Sequence, residues 1–219
     1  MRAGTHAALM VLLVGASTYA THARAENPIA IRNDSSYSAV PTLVQWQTIL
    51  KSARQLPEQQ RAEIINQYVN RLQSIPDAQL WGVDDYWSTP TEMFYAGGGD
   101  CEDFAIAKYQ ALIDTGIPVQ RLWLAYSKLL QAGTGRIESH MVLVFEDRAA
   151  RLWVLDNVQS QLLPLNSRHD LIVSTGLNGF GMWKFLRGSS PKLIAGYDAL
   201  PQQARRVIEN QSLLTVLRQ

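Results

Sequence analysis

Residues 97–119 read GGGDCEDFAIAKYQALIDTGIPV. Phe104, Ala105, Lys108, Ala111 and Leu112 fall near one stripe at helical spacing, and Gly116 followed by Pro118 marks a stop. The spacing predicts a helix that begins at or next to Cys101. That cysteine is the only one in the chain, and it stands among Asp100, Glu102 and Asp103. Three carboxylates oppose a thiolate, whereas a helix N-terminus favours one. Glycines 97–99 are expected to leave the backbone room for substrate or for loop movement.

Upstream of this stretch the pattern is helical. Residues 42–51 read as one helix. A second starts at Pro57, carries Glu58 in its first turn, places Ile64, Ile65, Tyr68, Val69 and Leu72 at helical spacing, and ends before Pro76. Residues 77–96 form an aromatic-rich loop. Downstream, RLWLAYS (121–127), SHMVLVFED (139–147), RLWVLDNV (151–158) and GMWKFL (181–186) are rich in branched and aromatic residues, as strands are. A last helix is expected over residues 201–217, with Arg205 and Arg206 on a solvated face. Helices followed by a run of strands argue for an α+β fold, an antiparallel sheet with helices packed to one side.

The ends of the chain set its context. Arg2, the apolar run 7–16 and the small-x-small triplet 23–25 have the form of a secretory signal, with cleavage expected before Glu26. The apolar run is too short to span a bilayer. Residues 26–219 are then one domain. Removing residues 1–25 takes away Arg2 and Arg24 and no acid, so the formal charge moves from +1 to −1. That balance gives no reason to expect nucleic acid or a charged membrane surface as partner. No later run is long enough for a transmembrane helix, so no membrane insertion of the mature chain is expected. Exported proteins usually pair their cysteines. A lone Cys101 is an intermolecular bridge, an inert buried thiol or a reactive one.

Three residues suited to nucleophilic catalysis stand in order. Cys101 opens a helix, His140 lies in one strand and Asp156 in the next. A histidine beside the thiol can take its proton and later return one to the leaving group, and a carboxylate behind the ring fixes its tautomer. Helix N–H groups can also hydrogen-bond the oxyanion of an attacked carbonyl. If 139–147 and 151–158 form a tight hairpin turning near residue 149, His140 and Asp156 are close cross-strand neighbours. A zinc site on Cys101, His140 and Asp156 is an alternative, although no CxxC or HxxxH spacing supports it. His169 sits in a polar stretch with no visible partner. Trp81, Tyr86 and Trp87 either wall a cleft or pack in the core.

The block DYWSTPTEMFYAGGGDCEDFAIAKYQALIDTGIP, followed by SHMVLVF and LWVLDNV, resembles the bacterial transglutaminase-like cysteine proteinases from about Trp81 to Val158. The resemblance implies a papain-like, transglutaminase-like fold, with Cys101 as nucleophile, His140 as general base and acid, and Asp156 as orienting carboxylate. It implies dependence on Ca²⁺ bound by Asp100 and Glu102, with Asp103 as a further ligand, and a periplasmic location. It also implies a large cell-surface adhesin as substrate, cut near its N-terminus at a pair of alanines, with biofilm dispersal as the result. An inner-membrane cyclic-di-GMP receptor is implied as the inhibitory partner. Two other functions stay open: acyl transfer to an amine through the same thioester, and a non-catalytic calcium-binding adaptor.

Overall fold

The computed structural model describes residues 43–186 and 189–209. The expected signal, residues 26–41 and the end of the last expected helix lie outside the described residues. Helix α1 (Leu43–Ala53) buries Trp46, Leu50 and Ala53 on one stripe. Helix α2 (Glu58–Val69) begins after Pro57, whose fixed φ suits a helix entrance, and buries Ala62, Ile65, Tyr68 and Val69. The Trp46 ring stacks on Tyr68 with centroids 5.5 Å apart and meets Phe94 at 5.1 Å, which joins the two helices to the next segment.

That segment, 77–96, holds two helices where a loop was expected. A short α3 (Asp77–Leu80) is followed by α4 (Pro90–Ala96). Thr89 caps α4: its Oγ accepts from the Glu92 N–H while Glu92 Oε2 accepts from the Thr89 N–H, and Pro90 occupies the first helical position. Thr-Pro-Thr-Glu is a capping box. The aromatic run around it masks this local signal.

Helix α5 (Cys101–Asp114) is the central helix of the fold. Every residue from Asp103 to Leu112 is buried. A helix apolar nearly all round has to be covered on several sides, and α5 packs against α2, α4 and the sheet. Asp103, in its first turn, accepts from the N–H of Asp100 at the N-cap; Gly116, at φ +94°, turns the chain out of it.

A seven-stranded antiparallel sheet follows. Its strands are β3 (Leu122–Leu130), β4 (Ile137–Glu146), β5 (Leu152–Leu155), β6 (Leu163–Pro164), β7 (Leu171–Asn178), β8 (Gly181–Lys184) and β9 (Lys192–Gly196), in the order β6-β5-β4-β3-β7-β8-β9. Strands β6, β7 and β9 add to those expected. A separate parallel pair joins β1 (Gln73–Ser74) to β2 (Gly98–Gly99). Alternation along the strands sorts the core into two layers. Leu122, Leu124, Met141, Leu143, Phe145, Trp153 and Leu155 join the helices in one cluster. Trp123, Ala125, Val142, Val144 and Val154 form a second with Leu171 and Phe185.

The expected last helix is seen as α6 (Gln202–Glu209), anchored by Val207 and by Gln110, whose Nε2 donates to the Val207 carbonyl at 2.8 Å. Arg206 is exposed, as expected, but it is not idle. It covers the Tyr86 ring at 4.7 Å, pairs with Glu92 at 3.7 Å and donates to the Trp87 carbonyl. The fold class is α+β, as expected.

Candidate active site

Strands β4 and β5 pair with Leu143 opposite Leu155 and Val144 opposite Val154, so the hairpin is centred on residue 149. One step further along this register puts Asp156 across from Val142. Asp156 therefore reaches His140 diagonally rather than head-on, and the expected proximity is met without direct opposition. His140 Nε2 lies 2.8 Å from Asp156 Oδ1, with both side chains buried. The turn between the strands is held by Asp147, whose carboxylate accepts from the Ala149 and Arg151 N–H groups, Arg151 Nε and Trp153 Nε1.

Burial alone would raise the Asp156 pKa. The hydrogen bond and charge of His140, the Val158 N–H and Arg168 outweigh it and hold the group down to about 2. Asp156 is thus ionised and can only accept, so Nε2 carries the imidazole proton and Nδ1 is the free basic nitrogen. Lys108, on α5, is buried with its Nζ 5.5 Å from the Phe104 ring centroid. Burial pulls its pKa down to about 7, against the favourable charge of Asp156.

Cys101 begins α5 beside the strand that carries His140. Its sulfur accepts a hydrogen bond from the Met141 backbone N–H. The thiol itself donates to Glu102 Oε2 at 3.0 Å. Burial first, and then the Glu102 charge and hydrogen bond, push the thiol well above its ordinary range. The Glu102 carboxylate thus opposes formation of a thiolate at Cys101.

The acids form a larger cluster than the sequence suggested. Asp77 and Asp85 come from the 77–96 segment and join Asp100, Glu102 and Asp103, in overlapping groups whose ligand atoms lie within 4.8 Å of one another. Burial, then Glu102, then Asp103 and Asp77 push Asp100 up to about 9. Burial also raises Asp103, to about 7, against hydrogen bonds from Ser88 and Asp100. Asp103 ties two backbone segments together, since its Oδ1 accepts from the Ser88 N–H at 2.7 Å and its Oδ2 from the Asp100 N–H at 3.2 Å.

The glycines before Cys101 are packed rather than roomy. Gly97 ends α4 at φ +80°. A Cβ on Gly99 would lie 2.3 Å from Asp103 Oδ2. The expectation of room for substrate is replaced by close backbone packing against the acid that caps α5. Of the aromatics, Trp87 is core, while Trp81 and Tyr86 meet at 4.9 Å and the Tyr86 N–H donates to Asp77 Oδ2. His169 adds nothing to the site. Asp77, Asp85 and Arg168, which donates to Asp156 Oδ2 at 2.8 Å, were missed, because nothing in their local sequence marks them.

The sequence pattern of the bacterial transglutaminase-like cysteine proteinases (BTLCP) matches residues 44–184. The chain belongs to this family. Among solved structures it is similar to Legionella pneumophila LapG treated with EGTA, at 29% identity and TM-score 0.63, over 75% of this chain and 85% of that one. Calcium-bound L. pneumophila LapG is 29% identical with TM-score 0.61, over 75% and 86%. Comparison with curated protein sequences gives no match. The chain is a LapG-like cysteine protease of the BTLCP family, with the family's transglutaminase-like fold. Among the described residues no helix is long and apolar enough to cross a membrane.

The BTLCP acids fit a hard cation. Among the described residues Asp77 Oδ1 and Asp100 Oδ1 are buried without a hydrogen-bond partner, and such oxygens are what Ca²⁺ takes as ligands.

Proposed function

We propose that this BTLCP protease is a calcium-dependent cysteine endopeptidase in which Cys101 is the nucleophile, His140 the general base and acid, and Asp156 the carboxylate that orients His140. The observation that carries this reading is the buried 2.8 Å contact from His140 Nε2 to Asp156 Oδ1, on the strand against which the helix opened by Cys101 packs. Asp156 keeps the proton on Nε2 and leaves Nδ1 to receive the thiol proton. Cys101 attacks the scissile carbonyl, His140 hands its proton to the departing amine, and a water activated by His140 then hydrolyses the thioester. The free N–H groups at the start of α5 favour both the thiolate and the developing oxyanion.

Asp77, Asp85, Asp100 and Glu102 would hold the cation, with Asp103 chiefly supporting the loop. A bound calcium ion supplies positive charge that offsets these acids. With that charge offset, Glu102 would compete less for the Cys101 thiol proton, leaving it for His140 to accept. The substrate is a large surface adhesin cut near its N-terminus at a di-alanine site, releasing it and dispersing biofilm. The enzyme works in the periplasm after loss of residues 1–25, as the single domain 26–219. An inner-membrane cyclic-di-GMP receptor restrains it. The family assignment and the calcium-bound LapG neighbour support this reading.

The test uses a purified adhesin fragment containing paired alanines, with the parent protein, Cys101→Ala and His140→Ala, in calcium and in EGTA. Cleavage by the parent in calcium alone is expected. Cleavage by Cys101→Ala at the parent's rate would overturn the assignment.

A further inference from the structure

Asp156 is held on every side. Oδ1 accepts from His140 Nε2 at 2.8 Å and from the Val158 N–H at 2.9 Å, and the Asp156 carbonyl accepts from Asn70 Nδ2 at 2.7 Å. Among the described residues Oδ2 has one hydrogen-bond partner, Arg168 Nη2, at 2.8 Å. Arg168 is itself clamped from the solvent side: its Nη2 also donates to Asp170 Oδ2 at 2.8 Å, and its Nε to Asp170 Oδ1 at 2.9 Å. The Arg168 side chain is 2% exposed and that of Asp156 is fully buried, whereas Asp170 is 43% exposed. A buried guanidinium is costly unless it is paired. The loop therefore commits a buried cation to the one oxygen of Asp156 that does not face His140.

We propose that Arg168 is a positioning residue of the catalytic machinery, locking the Asp156 carboxylate so that Oδ1 stays aimed at His140 Nε2. The inference rests on the reading of Asp156 as the carboxylate that orients His140. A carboxylate fixed at one oxygen only can rotate about its terminal bond, since that torsion is soft. Val158 and His140 both approach Oδ1, so neither fixes Oδ2. Arg168 does, through a planar fork that Asp170 keeps in register. Asp170 thus acts on the ring at second remove: Asp170 orients Arg168, Arg168 orients Asp156, and Asp156 orients His140. Among the described residues Lys108 from α5 also acts on Asp156, by charge.

The experiment compares the calcium-loaded parent with Arg168→Met, Arg168→Lys, Asp170→Asn and Asp156→Asn. It records kcat and KM on the adhesin fragment and the downfield proton resonance of a hydrogen-bonded imidazole N–H. Arg168→Met is expected to lower kcat about 10- to 100-fold with KM within about twofold, because misaimed catalytic groups lose rate rather than binding. Its downfield resonance disappears into exchange with water, as it does in Asp156→Asn. Arg168→Lys keeps one donor near Oδ2, so it retains the resonance and is expected within about tenfold of the parent kcat. Asp170→Asn, at a half-exposed position, is expected to cost about two- to fivefold in kcat. It decides the matter if Arg168→Met does not fold. The proposal is overturned if the folded Arg168 and Asp170 variants keep parental kcat and the resonance while Asp156→Asn loses both. If Asp156→Asn itself cleaves normally, the underlying reading of the site fails instead. The resonance still reports whether Arg168 holds Asp156.

Discussion

Replacing Asp156 by asparagine has a cost that can be worked from the site. The carboxylate is ionised with a pKa held down to about 2, against about 3.9 in an unfolded chain. By linkage this difference contributes about 2.6 kcal/mol of stability at neutral pH. The sign follows from the depressed value: the contribution is present above the unfolded pKa and is lost as pH falls through the folded one. Nearly all of it therefore remains at pH 5, and about 1.3 kcal/mol remains at pH 3. Asparagine carries none of it and leaves the buried Arg168 and Lys108 facing an uncharged group. Urea unfolding of parent and Asp156→Asn between pH 7 and pH 3, both in EGTA, checks the figure. The variant should be less stable by about 2–3 kcal/mol at pH 7, and the gap should close by about 1.2 kcal/mol at pH 3. Other acids titrate in this window, but they are common to both proteins and cancel in the difference. Parallel stability curves across the window would refute the claim that Asp156 is a strongly stabilised carboxylate.

Asp77→Asn removes an unpartnered buried carboxylate oxygen and should weaken calcium binding about 10-fold or more by isothermal titration, since ligand charge sets affinity in such sites. Gly99→Ala drives a Cβ into Asp103 and should destabilise by about 1–3 kcal/mol in urea, as overpacking does. Thr89→Ala deletes the cap of α4 and should cost about 1 kcal/mol, seen as a lower urea midpoint with kcat unchanged.

The parts of the fold that the sequence disclosed are those whose signals are local. Helix α5 was legible because its apolar spacing and the Gly116-Ile117-Pro118 exit are written in consecutive residues. His140 and Asp156 were legible because a hairpin ties them through one short turn, although the register built on Asp147 sets Asp156 across from Val142 rather than from His140. Helix α4 had a local signal in Thr-Pro-Thr-Glu, which the surrounding aromatics obscured. Strand β7 contains Thr175-Gly176 in mid-strand, where glycine ordinarily interrupts. A Cβ at Gly176 would lie 2.8 Å from the Phe185 ring and 2.9 Å from Trp123, so close packing explains it. The acids illustrate the limit most clearly. Asp100, Glu102 and Asp103 are adjacent in sequence, but Asp77 and Asp85 reach them only through the path of the chain around α3 and α4. Arg168 belongs to a polar run, and its burial against Asp156 is set by tertiary packing alone.

The acids around Cys101 suppress its thiolate until a cation offsets them, and this can be measured at the thiol itself. The direct measurement is the rate at which iodoacetamide modifies Cys101 in the folded parent protein at mildly acidic pH, in calcium and in EGTA. Rapid modification with calcium and slow modification with EGTA are expected, with loss of the calcium effect in Asp77→Asn at limiting calcium. Equal rates in calcium and EGTA would contradict it.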